Sequence, residues 1–268
     1  MTTAIVLGLI VGVILALTGA GGGILAVPLL VFGTGISVAE AGPIGLLAVG
    51  MAATLGAALG LRAGLVRYRA ALLIAAAGML LSPAGLWAAR LADARWLALL
   101  FALTLLFVAI KTYRQAAGTD PIPDIEPVCT RDAQSGRFVW TRPCARALAL
   151  SGALAGSLSG LLGVGGGFVM VPALRRYTDL PMKAAVASSL AVIAIISFTG
   201  VAAAAAQGAI HWDTAGPFTA GALAGMLGGR TLAARVAGPY LQRAFALISA
   251  LVALGMIGNA LLSIASPS

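Results

Sequence analysis

Charged positions are so sparse along this chain that the apolar runs between them define its elements. Residues 41–61, 70–89, 184–206 and 244–264 each run about 20 positions without Asp, Glu, Lys or Arg. That is the length a helix needs to cross roughly 30 Å of hydrocarbon. Shorter apolar runs cover 96–110 and 214–229, and two further ones are interrupted by glycine clusters. The pattern predicts an all-α polytopic membrane protein with eight hydrophobic segments. Composition agrees: 60% hydrophobic residues, 9% charged and a mean hydropathy of +1.04. A soluble domain of this length could not keep so much apolar surface from water. The start, Met1-Thr2-Thr3-Ala4, lacks the basic region of a signal peptide, so the first apolar run reads as part of the mature fold.

The glycine clusters expose a duplication. Gly21-Gly22-Gly23 is followed by Pro28, and Gly165-Gly166-Gly167 by Pro172, with 144 positions between equivalent glycines. At the same offset Gly56 matches Gly200, and Gly64-Leu65-Val66-Arg67-Tyr68 matches Gly208-Ala209-Ile210-His211-Trp212. Two halves follow, 1–113 and 144–268, each a broken apolar segment plus three plainer helices. Residues 114–143 form a polar linker rich in proline. Within it Gln134-Ser135-Gly136 and the run Phe138-Val139-Trp140 predict a small hairpin.

A run of three glycines opens a helix, since each costs about 1 kcal/mol in a helix interior. In the first half the break leaves apolar pieces at 4–17 and 24–32, each too short to cross alone. The whole segment either crosses as a broken helix or turns back as a re-entrant hairpin. Charge separates the two layouts, because cytoplasmic loops concentrate Lys and Arg. If both segments cross, the 17 basic residues divide nine against eight. If both turn back, the same 17 divide fifteen against two, with Arg90 and Arg95 alone on the sparse side. The sequence therefore points to six crossings and two hairpins. Three crossings per half make the repeats inverted, with hairpins entering from opposite faces. The linker is then cytoplasmic and both termini lie outside, as expected of a protein of the bacterial inner membrane.

Unwound backbone at membrane depth needs a protein wall or a water-filled cavity around it. A helix restarting after such a break aims free N–H groups and the positive end of its dipole into the gap, which suits an anion. Gly21, Gly22, Gly23, Gly165, Gly166 and Gly167 are therefore candidate substrate-binding positions. Thr18, Ser159, Ser188, Ser189, Thr54 and Thr199 are candidate hydroxyl donors, with self-capping onto the preceding turn as the alternative. Gly152, Gly156 and Gly160 fit close helix packing instead. Glu40, Lys183 and Arg230 are candidate gate or pathway residues, with interfacial anchoring as the alternative.

Other chemistry is thinly represented. A nucleophile–base pair or metal cluster at depth would be needed for an intramembrane enzyme, and the chain has one histidine, His211, in a predicted loop. The reading is a non-enzyme that calls for no cofactor and no metal. The net charge of +9 reads as loops held against anionic lipid rather than as a nucleic-acid surface. Cys129 and Cys144 read as reduced thiols without a role. The oligomeric state is open, a homodimer included.

The stretches Ser159–Leu174 (SGLLGVGGGFVMVPAL), Thr18–Leu30 (TGAGGGILAVPLL) and Arg131–Thr141 (RDAQSGRFVWT) resemble the sulfite exporter TauE/SafE family of bacterial permeases. The resemblance covers nearly the whole chain. It implies transport of a small sulfur-containing anion such as sulfite, thiosulfate or an organosulfonate. A permease for another small anion and a non-transporting membrane scaffold are the alternatives. In the first half Ile44 and Gly45 stand where the second has Ser188 and Ser189, so the hydroxyls do not repeat symmetrically.

Overall fold

Among the described residues the chain forms ten helices: α1 (Thr2–Thr18), α2 (Gly21–Thr34), α3 (Val38–Arg62), α4 (Tyr68–Leu91), α5 (Ala94–Ala116), α6 (Arg142–Leu162), α7 (Gly167–Tyr177), α8 (Met182–Ala206), α9 (Trp212–Ala233) and α10 (Gly238–Ala265). The structure, a computed structural model, describes residues 2–19, 21–91, 94–117, 127–130, 138–162, 164–233 and 238–265. Among the described residues five stretches are long and apolar enough to cross a membrane: Val38–Arg62, Tyr68–Gly85, Trp96–Arg114, Arg142–Leu162 and Met182–Ala206. The fourth is α6, which the sequence pattern presents as half of a broken segment. It reaches that length because a polar turn from Arg142 to Arg146 begins it.

Both glycine clusters turn the chain back. A Cβ at Gly22 would stand 2.6 Å from the Leu15 N and the Val11 O, and Gly33, at the other end of α2, abuts Leu7. Helix α2 thus retraces α1 rather than continuing it. In the second half the end of α7 returns to the start of α6. The Cys129 N–H donates to the Tyr177 O at 2.9 Å, and Cys129 is disulfide-bonded to Cys144 in the first turn of α6.

This disulfide corrects the reading of the two cysteines as reduced thiols. A spacing of 15 residues says nothing about approach when a hairpin intervenes. Here residue 129 pairs with Thr178 in an isolated bridge, and its Cα comes within 5.0 Å of that of Cys144. The predicted linker turn at 134–136 lies outside the described residues. Its flanks do meet: the Val139 N–H donates to the Thr130 O at 3.0 Å.

The halves interlock. Helix α1 packs on α9 and α6 on α4, each hairpin's first arm against a helix of the other repeat. A Cβ at Gly8, Gly12, Gly221 or Gly225 would strike backbone across the α1–α9 contact, and one at Gly85, Gly152 or Gly156 across α4–α6. In lipid, such small-residue contacts hold helices together, because burying apolar side chains gains little against acyl chains. The equivalent helices α3 and α8 pack antiparallel at the centre, and α5 packs chiefly on α10. The two hairpins therefore enter from opposite ends. One end carries both termini; the other carries the linker, the α3–α4 loop and the end of α7.

Candidate functional site

The apices of the two hairpins meet. A Cβ at Gly23, in the first turn of α2, would lie 2.8 Å from the Val164 O and 3.4 Å from Val49 Cγ1. Val164, Gly165 and Gly166 form the second break. Gly165 and Gly166 have φ of 74° and 63°, left-handed values that L side chains seldom adopt. Gly166 is the N-cap of α7 and makes no side-chain cap. The first N–H groups of a helix lack intrahelical partners, so those of α7 open onto this junction with its dipole behind them.

One hydroxyl faces the same turn. Ser197, in α8, is fully buried, and its Oγ has no hydrogen-bond partner among the described residues. A Cβ at Gly165 would stand 2.9 Å from that oxygen, and one at Gly50 of α3 would stand 2.9 Å from Ser197 Cβ. Sequence reasoning missed Ser197. The repeat gives no warning of it, because Ala53 occupies the equivalent place in the first half.

The predicted hydroxyls are differently employed. Ser189 Oγ lies 3.2 Å from the Gly19 O and 2.8 Å from the Val186 O, tying α8 to the first break. Ser188 Oγ accepts from the Arg67 N–H at 3.0 Å, fixing the α3–α4 loop to α8. Thr18, Thr54 and Thr199 donate to carbonyls one turn back, at 2.8, 2.7 and 2.6 Å. Ser159 is buried in α6. Of the charged candidates, Glu40 closes a capping box with Ser37 at the start of α3 and sits 3.8 Å from His211 Nε2. Lys183 and Arg230 are exposed. None of these three reaches the junction of the hairpins.

A cavity of about 380 Å³ leads inward from the linker end, between α7, α6 and the α5–α10 pair. Lys111, Arg175 and Arg176 line it, Phe107, Phe168 and Phe245 form much of its wall, and Thr18 marks its approach to the first break.

Inverted halves, paired broken helices that meet in the interior and a basic cavity reaching toward them define a multi-pass membrane transporter. The chain belongs to the family described as "Sulfite exporter TauE/SafE", which matches residues 4–256. It is 34% identical over 254 residues to a "Probable membrane transporter protein" of Xylella fastidiosa (strain 9a5c), covering 93% of this chain and 92% of that one. It is 27% identical over 218 residues to the "Probable membrane transporter protein YunE" of Bacillus subtilis (strain 168), covering 78% and 79%. No solved structure matches the chain significantly.

Proposed function

We propose that this protein exports a small sulfur-containing oxyanion, sulfite or an organosulfonate, by alternating access around the two glycine breaks. The anion's oxygens are held by the first N–H groups of α7 and by the Ser197 hydroxyl. The cavity at the linker end is the inner vestibule, and that end faces the cytoplasm. The observation that carries the reading is the contact of Gly23 with the Val164 carbonyl: two hairpins from opposite ends make one junction, so parting them on either side opens it to one compartment at a time. No Asp or Glu stands in the middle of a predicted crossing helix, so an intramembrane carboxylate relay has no residues to run on. Export needs none. With the inside negative, each unit of negative charge leaving gains about 2.3 kcal/mol per 100 mV.

The test is Gly23→Ala, a single methyl at the junction. In proteoliposomes loaded with sulfite, efflux through the variant should fall at least tenfold, while the purified variant elutes like the parent. Efflux at the parental rate from a folded variant defeats the proposal.

A further inference from the structure

Two branched apolar side chains stand at the junction of the hairpins, one from each half. Val49 belongs to α3 and Ile193 to α8, the two helices that pack on each other at the centre. They lie 144 positions apart, the offset that relates Gly21 to Gly165, so the repeat makes them equivalents. A Cβ at Gly23 would lie 3.4 Å from Val49 Cγ1. A Cβ at Gly165 would lie 3.7 Å from that same carbon and 3.4 Å from Ile193 Cγ2. Val49 therefore reaches both breaks, and Ile193 meets it at the second. Each is 1% exposed.

The place of the pair relative to open space gives it a task. The cavity from the linker end is lined by Thr18, Phe168 and Val169, and neither Val49 nor Ile193 lines it. At Gly165 the way is filled: the Ser197 Oγ, Ile193 Cγ2 and Val49 Cγ1 all lie within 4 Å of the point its Cβ would take. The molecule is thus shut at the level of the breaks, and apart from one hydroxyl the atoms around that point are methyl carbons. Carbon offers an ion no replacement for its lost hydration, and a hydrophobic constriction holds ions back by staying dry. The residue types suit a seal. Val and Ile branch at Cβ and keep essentially one χ1 rotamer in a helix, so the constriction holds its shape.

The repeat separates this role from anion binding. Ser197 has Ala53 as its counterpart at the same offset, so the hydroxyl is unmatched, whereas the branched apolar pair is matched. A single donor serves to hold an anion. A barrier between two compartments, in a molecule whose halves are inverted copies that rock against each other, has to be presented by both halves.

We infer that Val49 and Ile193 form the dry seal of the transport pathway, which keeps water and small ions such as chloride from passing between the breaks until the hairpins part. The inference rests on the reading of the junction as that pathway, and the identity of the cargo does not enter it.

The seal is tested with chloride in the absence of any sulfur anion, so its outcome is separate from that of the Gly23→Ala test. The full chain is reconstituted in liposomes loaded with potassium chloride, valinomycin is added, and chloride release is followed with an electrode. The parent should release chloride no faster than protein-free liposomes. Val49→Thr keeps the branched shape and exchanges a methyl for a hydroxyl, and it should release chloride about tenfold faster or more. Ile193→Thr should do the same, while Ile193→Val, still branched and apolar, should remain tight. Release at the parental rate from both threonine variants, each eluting like the parent, overturns the inference, as does a parent that leaks. Aggregation of both threonine variants would mark the pair as packing residues and counts against it equally. If Gly23→Ala exports sulfite at the parental rate while Val49→Thr leaks, the export site proposed above falls and the seal stands.

Discussion

Ser197 is a residue the protein would be more stable without. A buried hydroxyl that makes no hydrogen bond costs about 1–3 kcal/mol in desolvation, and Ser197 is 0% exposed with no partner for its Oγ. Ser151 avoids that cost by donating to the Ala147 O at 2.7 Å, whereas Ser249 of α10 is the other buried serine that bears it among the described residues. Replacing Ser197 by alanine should therefore raise the thermal stability of the purified protein, by about 1 kcal/mol, and lower anion efflux about tenfold or more. The two changes in opposite directions distinguish a ligand from a packing residue. A variant that loses stability and keeps its transport rate would show that Ser197 only fills space. Nothing in the sequence singled this residue out. It shares its apolar run with Ser188, Ser189 and Thr199, and its significance lies in burial and in the nearness of Gly165, both products of tertiary structure. The glycines were legible because a helix break is a local, covalent consequence of residue type.

At the scale of elements, the interlocking of the halves is decided by glycines that admit backbone. A Cβ at Gly156 of α6 would run into the Gly78 carbonyl of α4, whereas at Gly228 of α9 it would meet nothing within 4 Å. Overpacking a close contact costs about 1–3 kcal/mol. In an open helix position alanine is the better helix former by up to about 1 kcal/mol. Gly156→Ala should thus lower the melting temperature of the detergent-solubilised protein, and Gly228→Ala should leave it unchanged or raise it. Equal effects would mean that α4 and α6 do not depend on this approach. The sequence marked Gly152 and Gly156 as packing positions, since small residues four apart share a helix face. It could not say that the partner is α4, because small-residue stripes fit one another without distinguishing partners. The same reason hid the cavity. Lys111 is far from Arg175 and Arg176 along the chain, and only the packing of the helices brings it to one cavity with them.

For the molecule as a whole, charge and cysteine chemistry bear together on direction across the membrane. The loops and helix ends at the linker end hold Arg62, Arg67, Arg69, Arg114, Arg142, Arg146, Arg175 and Arg176, among others. The terminus end has Arg90 and Arg95. The positive-inside rule then puts the linker in the cytoplasm, where thiols are kept reduced. Yet Cys129 and Cys144 sit at that end, fully buried and bonded, with Cα atoms 5.0 Å apart. The pairing of Cys129 with the end of α7, through the Tyr177 O and the Asp179 N–H, is a backbone contact that stands whether or not the sulfurs are joined. With the linker inside, the fold therefore favours a bond that the reductants of that compartment act to open. Trapping whole cells with acid, denaturing, and labelling with a heavy maleimide should add two labels per chain in growing cells and none after treatment with diamide. The opposite orientation demands a bond that is closed at all times. Chains that take up no label until a reductant is added would place the linker outside, and would make this protein one whose basic residues face away from the cytoplasm.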